Sequence, residues 1–219
     1  MAEIVPAVLA SNGQEYGKYL DIATSLSSRI QIDLADDDFA PGKTVNLAQT
    51  YWPDDIRADI HLMYQHPIEH IPTVIAKFPN LLIVHWEANG LDQDNLISIA
   101  DQLRSLDIKF GLALLPQTEV SEVAKVLEYL DHVLIFTGDL GHYGGDMQKD
   151  CLAKVGEVKN LDPNIEVGVD GGINDTNAAE VVTSGADVLN VGSFLQKADD
   201  PQKAYDKLKR NCPSSEAGD

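Results

Sequence analysis

Three short segments carry the groups that could do chemistry: Gln31-Ile32-Asp33, Asp59-Ile60-His61-Leu62-Met63 and Val169-Asp170-Gly171-Gly172-Ile173. Each brings a carboxylate or an imidazole to the end of an apolar, strand-like run. Two carboxylates facing one another across a substrate can take a proton from one face of a carbon and return one to the other, which inverts the centre. Proton abstraction beside a carbonyl makes an enediolate, whose oxygens need a positive charge close by. Asp33, His61 and Asp170 offer three ligands to a cation that would supply it. Singly, each aspartate is explained by an ion pair at a strand end. The three together, at equivalent strand ends, point to a site.

A second set of residues points to an anion. Gly144-Gly145, Gly171-Gly172 and Gly192-Ser193 follow three consecutive strand-like runs. Glycine lets backbone N–H groups converge on a ligand without a Cβ in the way, and a helix N-terminus nearby adds its own donors. Any one of these pairs alone would be a tight turn, whereas three on neighbouring loops suit a phosphate. His142, in the loop ahead of Gly144, is within reach of such a ligand.

The elements needed to position these groups repeat along the chain. Strand-like runs cover Ile4–Leu9, Arg29–Leu34, Ala58–Met63, Leu81–Trp86, Lys109–Leu114, His132–Thr137, Ile165–Asp170 and Asp187–Gly192. Several are almost wholly apolar, as parallel strands covered on both faces must be. Amphipathic segments lie between them. Asp94–Leu106 aligns Leu96, Ile97, Ile99, Ala100, Leu103 and Leu106, and Thr118–Leu130 aligns Val120, Val123, Ala124, Val126, Leu127 and Leu130. Asn174–Ser184 has a capping residue at its start and Gly185 beyond its end. The expected architecture is α/β, a single (β/α)8 barrel over residues 1–210, with a disordered tail over 211–219. An open doubly wound sheet would want fewer cycles and a glycine-rich first turn, which Ala7 to Asn12 lacks. In a closed barrel, chemistry sits at the C-terminal ends of the strands, where all three opening segments deliver their polar groups.

Composition narrows the partners. The chain has 219 residues, 44% hydrophobic and 23% charged, with a formal net charge of −19. Such a surface repels nucleic-acid backbones and anionic lipid, so neither is an expected partner. General solubility or adaptation to salt accounts for the acidity. A phosphate would need local donors, which amide dipoles can provide inside an acidic protein. The two cysteines, Cys151 and Cys212, have no CxxC spacing, and no apolar run approaches the ~18 residues of a membrane span. With no basic, apolar leader at the N-terminus, a cytoplasmic protein is expected.

Together these segments resemble the ribulose-phosphate 3-epimerase family, from Val5-Pro6 to Asp199-Asp200-Pro201. The resemblance is carried by Ile32-Asp33, Asp59-Ile60-His61-Leu62-Met63, Val84-His85-Trp86-Glu87-Ala88, Tyr143-Gly144-Gly145, Val169-Asp170-Gly171-Gly172-Ile173-Asn174 and Ala186-Asp187-Val188-Leu189. It implies a metal-dependent barrel of the phosphate-binding type that inverts C3 of a ketopentose 5-phosphate. Ribulose 5-phosphate and xylulose 5-phosphate would then interconvert in the pentose phosphate pathway. On this resemblance Asp33 and Asp170 carry the proton, and Asp33, His61, Asp170 and residue 31 hold one divalent cation (Mn, Mg, Zn or Fe). Gly144, Gly145, Gly171, Gly172, Gly192 and Ser193 grip the phosphate, and Ala7, Met63, His85, Phe136 and His142 line the site. The resemblance also allows a homo-oligomer.

Several positions depart from the family pattern. Gln31 stands where the family has a metal-binding histidine, and its amide oxygen suits Mg or Mn better than Zn. Ala7 and Ala10 replace two serines on the first strand. Ala35 and Phe136 replace methionines that pack over the enediolate, while Met63 remains. Asp36, Asp37 and Asp38 could add a carboxylate but read more simply as a solvated loop. Two readings therefore stand beside the epimerase. One is a homologue that binds a phosphorylated sugar without turnover. The other is a decarboxylase or aldol-type lyase, for which Asp33-Leu34-Ala35 lacks the expected lysine.

Overall fold

The computed structural model describes residues 2–138, 140 and 144–212. Eight parallel strands close in sequential order into one barrel. They are β1 (Glu3–Leu9), β2 (Arg29–Ala35), β3 (Arg57–Met63), β4 (Leu81–His85), β5 (Lys109–Leu114), β6 (His132–Phe136), β7 (Glu166–Asp170) and β8 (Val188–Val191). β2 is buried at every position, as a strand lying between the barrel interior and outer helices must be. The helices are α1 (Gly13–Leu26), α2 (Ile71–Ile75), α3 (Gln93–Arg104), α4 (Val120–Val123), α5 (Ala153–Leu161), α6 (Ala178–Thr183), α7 (Ser193–Gln196) and α8 (Pro201–Asn211). Asn12 caps α1 by accepting from the backbone of Gln14 and Glu15, and Asp92 caps α3 through Asn95. Of the expected 211–219 tail, Asn211 ends α8 and Cys212 is buried, while residues 213–219 lie outside the described residues.

The outer layer departs from the expected helices in two places. The crossover from β2 to β3 carries a 3-10 turn at Leu47–Gln49 instead of an α-helix. Pro41 and Gly42 precede this turn and Pro53 follows it, which limits any helix here to the ten residues between Gly42 and Pro53. The apolar stripe over 118–130 is divided into α4 and a 3-10 turn at Leu127–Tyr129. Asp36 and Asp37 shape the loop after β2. Asp36 accepts from the backbone of Asp38, Phe39 and Gln65, and Asp37 accepts from Gly42.

Inside the barrel, polar and apolar layers alternate along the axis. Leu81, Ile83, Ala113 and Leu134 form an apolar plug across its middle. At the N-terminal end lies buried Arg29, whose Nε donates to Asp59 Oδ2 at 2.7 Å. Its Nη1 and Nη2 reach Glu3 at 3.0 Å and Glu166 at 2.7 Å. His132 Nδ1 lies 2.8 Å from the same Glu166. Burial pushes the Asp59 carboxyl up, against the pull of Arg29. Burial would raise Glu166 as well, but hydrogen bonds from Arg29 and His132 hold it well below the usual carboxylate range. At the C-terminal end the strand register sets Asp33 beside His61 and Asp170 beside both Phe136 and Asn190. Among the described residues no helix is long and apolar enough to cross a membrane.

Arg29 is the counter-charge for buried Asp59 and for the part-exposed Glu3 and Glu166. Arg29→Met is expected to lower the unfolding free energy by about 3–5 kcal/mol, measured by urea titration at neutral pH. An unchanged midpoint would show that the cluster is compensated by other means.

Candidate active site at the C-terminal mouth of the barrel

A cavity of about 390 Å³ opens at the C-terminal ends of the strands, with Ala7, Asp33, His61, Met63, Phe136 and Asp170 in its wall. Asp33 and Asp170 come from strands well separated around the barrel, yet they meet at one group. The Gln31 Nε2 amide donates to Asp33 Oδ1 at 2.8 Å and to Asp170 Oδ2 at 2.6 Å. His61 Nδ1 lies 2.9 Å from Asp33 Oδ1 and 3.8 Å from Asp170 Oδ2. Burial pushes the Asp170 carboxyl up to about 7, and the Asp33 charge adds to this, while His61 and the Gln31 hydrogen bond pull the other way. Asp170 therefore keeps its proton to a higher pH than an exposed aspartate does.

A second histidine sits beneath the first. His61 Nε2 is 2.9 Å from His85 Nε2, and His85 Nδ1 is 3.5 Å from Glu87 Oε2. His85 is wholly buried and lies behind His61, away from the cavity wall, so the expectation that it lines the site is corrected. It is the last residue of β4, two positions beyond Ile83, which pairs with His61. Burial lowers it to about 4, against the opposing pull of Glu87, so the ring is neutral. Burial would raise Glu87, but His85, Thr118 and the backbone of Leu115 bring it below its ordinary value.

Among the described residues, Asp33, His61 and Asp170 form a trio whose ligand atoms all lie within 4.8 Å of one another. Two carboxylate oxygens and one imidazole nitrogen at this spacing fit a divalent cation, and Mn, Mg or Fe suit the oxygen-rich set. Gln31 presents its nitrogen to the carboxylates. Turning the amide over would present its oxygen as a fourth ligand.

The other end of the cavity is built from loops. Gly171 and Gly172 have φ of +113° and +71°, which few other residues adopt. A Cβ on Gly171 would also collide with the backbone of Gly138. A Cβ on Gly144 would come within 3.2 Å of Ser193 Oγ and 3.3 Å of Lys197 Nζ, so these three groups converge on one spot. Gly145 and Gly192 complete that wall. His142 lies outside the described residues.

Four residues of this mouth are missed by sequence reasoning or stand differently from its expectation. Lys197 and Lys43 line the cavity, the cations of a site in an otherwise acidic chain. Lys197 follows Ser193 by four residues, one helical turn, which is the available signal. Lys43 sits in the irregular loop after β2 and gives none. Asn190 lines the cavity from β8 with a buried Oδ1 that has no partner, and a polar residue inside the apolar run Val188–Val191 marks it. Gln31 is expected as an oxygen ligand, whereas here its amide nitrogen bridges the two aspartates.

Eight parallel strands closed in sequential order, with a carboxylate–imidazole cluster at the C-terminal mouth, define a single (β/α)8 barrel with an enzyme-like site. Residues 3–196 match the ribulose-phosphate 3 epimerase family, and the chain belongs to that family. It is 28% identical over 218 residues to a ribulose-phosphate 3-epimerase of Bacillus subtilis, covering 95% of this chain and 99% of the relative. The ribulose-phosphate 3-epimerase of Aquifex aeolicus is also 28% identical, over 95% of this chain and 96% of its own. Among solved structures, 3-hexulose-6-phosphate synthase from Salmonella typhimurium superposes with a TM-score of 0.70 at 15% identity, covering 96% of this chain and 98% of that one, which is likeness of fold.

A carboxyl raised in the folded state favours folding fully below its unfolded value and loses that contribution as pH rises through its folded one. In the cation-free protein the stability contributed by Asp170 is therefore lost between about pH 4 and about pH 7. Thermal unfolding is expected to show a falling midpoint over this window that Asp170→Asn flattens. Identical pH profiles for the two proteins would remove the assignment of the proton to Asp170.

Proposed function

We propose that this chain inverts C3 of a ketopentose 5-phosphate, interconverting ribulose 5-phosphate and xylulose 5-phosphate, by proton transfer between Asp33 and Asp170. The observation that carries this reading is that one amide, Gln31 Nε2, bridges the carboxyl groups of Asp33 and Asp170, which line the same cavity as the glycine-rich loops. Burial raises the Asp170 carboxyl, which suits it to the role of proton donor in the pair. Ionised Asp33 takes the C3 proton from one face of the substrate, and Asp170 delivers its own to the other face. Gln31 can donate to whichever carboxylate is charged at each stage. Met63 and Phe136 close the mouth around the enediolate and keep water from it.

Asp33, His61 and Asp170, with the Gln31 amide oxygen turned inward, would hold a divalent cation. When bound, it supplies positive charge for the enediolate oxygens. The phosphate is held by the backbone amides of Gly144, Gly145, Gly171, Gly172 and Gly192, the Ser193 hydroxyl and the Lys197 ammonium. A second reading is binding of the sugar phosphate without turnover. It is favoured by Gln31, whose amide already satisfies both carboxyl groups.

Incubation with ribulose 5-phosphate in deuterated water, with and without Mn²⁺, separates the two. Label is expected at C3, and Asp33→Asn or Asp170→Asn is expected to slow its entry by about 10²–10⁴-fold. No label with any ketose phosphate, together with saturable thermal stabilisation by the sugar, would establish binding alone. Lys197→Met is expected to weaken inorganic phosphate on the order of tenfold, a loss of about 1.4 kcal/mol, read by calorimetry. Unchanged affinity would take Lys197 out of the phosphate site.

A further inference from the structure

Two buried polar atoms face each other at the limit of hydrogen-bond distance. His85 Nδ1 and Glu87 Oε2 are 3.5 Å apart, and neither has a hydrogen-bond partner. Their mismatch follows from proton arithmetic along the chain of contacts. With Asp33 as the acceptor and one proton on the His61 ring, that proton sits on Nδ1, which faces Asp33 Oδ1 at 2.9 Å. His61 Nε2 is then bare, and the 2.9 Å contact to His85 Nε2 requires that atom to carry the proton. His85 Nδ1 is left bare opposite a carboxylate. The rest of its surroundings offer no donor, because the Phe39 and Phe136 rings pack against His85 at centroid distances of 4.9 and 5.9 Å.

We propose that Glu87 and His85 are positioning residues for the cation site, selecting the tautomer of His61 that leaves Nδ1 free to bind a divalent ion. This rests on the cation reading of Asp33, His61 and Asp170 given above. A ligand at His61 Nδ1 requires that nitrogen to be bare, so the ring's proton sits on Nε2 and points at His85. His85 Nε2 then accepts, its own proton sits on Nδ1, and that N–H donates to Glu87 Oε2. Each ring keeps one proton throughout, so the two imidazoles exchange tautomers with no net gain or loss. The orphaned pair becomes a hydrogen bond only in the ion-bound arrangement, and that difference favours the ion.

Glu87 is held in place for this task. Its Oε1 accepts from the backbone N–H of Leu115 at 2.9 Å and from the Thr118 hydroxyl, leaving Oε2 for His85. The loop carrying those donors is itself clamped by buried Lys154, whose Nζ donates to the carbonyls of Leu115, Pro116 and Thr118 at 3.0, 2.7 and 2.7 Å. Lys154 thus spends its three donors on backbone and keeps the carboxylate aimed into the barrel.

Glu87→Gln tests the inference because it keeps the shape and the Oε1 acceptor but can place an N–H₂ opposite His85 Nδ1. The variant thus satisfies the ion-free tautomers and penalises the ion-bound ones. Calorimetric titration of the substrate-free protein with Mn²⁺ is expected to show about tenfold weaker binding in Glu87→Gln than in the native chain. ¹⁵N spectra of the imidazoles are expected to report His61 protonated at Nδ1 and His85 at Nε2 without ion, and both reversed when Mg²⁺ saturates the native protein. The spectra need only the native chain and decide the matter even if the variant does not fold. Saturable Mg²⁺ binding with unchanged tautomers, or equal Mn²⁺ affinity in the folded variant, would overturn the inference and leave the cation site standing. No binding of either ion by the native chain would instead overturn the cation reading and this inference with it.

Discussion

Two carboxyl groups drawn into one dry cavity repel each other, and the devices that make this tolerable organise the whole mouth of the barrel. Asp170 takes up a proton at a pH where an exposed aspartate would be charged. The Gln31 amide donates to both groups, and His61 Nδ1 lies 2.9 Å from Asp33 Oδ1. His61 must then be supported from below by His85, and His85 by Glu87. The polar chain runs through β2, β3 and β4 to the loop after β5, where Lys154 on α5 fastens it. A buried acid pair of this kind is suited to proton transfer because its two members differ in charge at the same pH.

The barrel isolates this chemistry from a second set of buried charges. Arg29, Asp59, Glu166 and His132 occupy the opposite end of the interior. The apolar plug of Leu81, Ile83, Ala113 and Leu134 separates the two layers. Charges within a low-dielectric interior interact over longer distances than exposed ones. Confining the Arg29 ion pairs to one end leaves the acid pair at the other to be tuned by its own neighbours.

A net charge of −19 is compatible with an anionic substrate because the two act at different ranges. Surface carboxylates are screened over about 8–10 Å in physiological salt. Inside the mouth, Lys197, Ser193 and glycine-rich loops present donors at contact distance. Close, unscreened donors outweigh distant, screened charges.

All eight strands were legible in the chain, with boundaries within a residue or so of those observed, because a parallel strand covered on both faces has to be apolar throughout. Lys109–Leu114 agrees at both ends. The helices were less legible. The apolar stripe over 118–130 has helical spacing, yet it folds as two short turns, since a segment half-buried by its neighbours need not be a continuous helix to bury that stripe. At the site, the closure of the barrel made the meeting of Asp33, His61 and Asp170 readable, since strand ends in a closed barrel can only converge.

What the sequence determined by itself is thus the barrel, the family and the acid–base–imidazole trio, all consequences of local pattern and strand order. What tertiary structure decided is direction and pairing. Gln31 turns its nitrogen to two aspartates, one of them 139 positions away in the chain. His85 stacks behind His61 rather than beside the substrate, and Lys197 joins Gly144 from another loop. Such contacts depend on side-chain rotation and on the stagger between strands, and neither leaves a periodic trace in the order of residues.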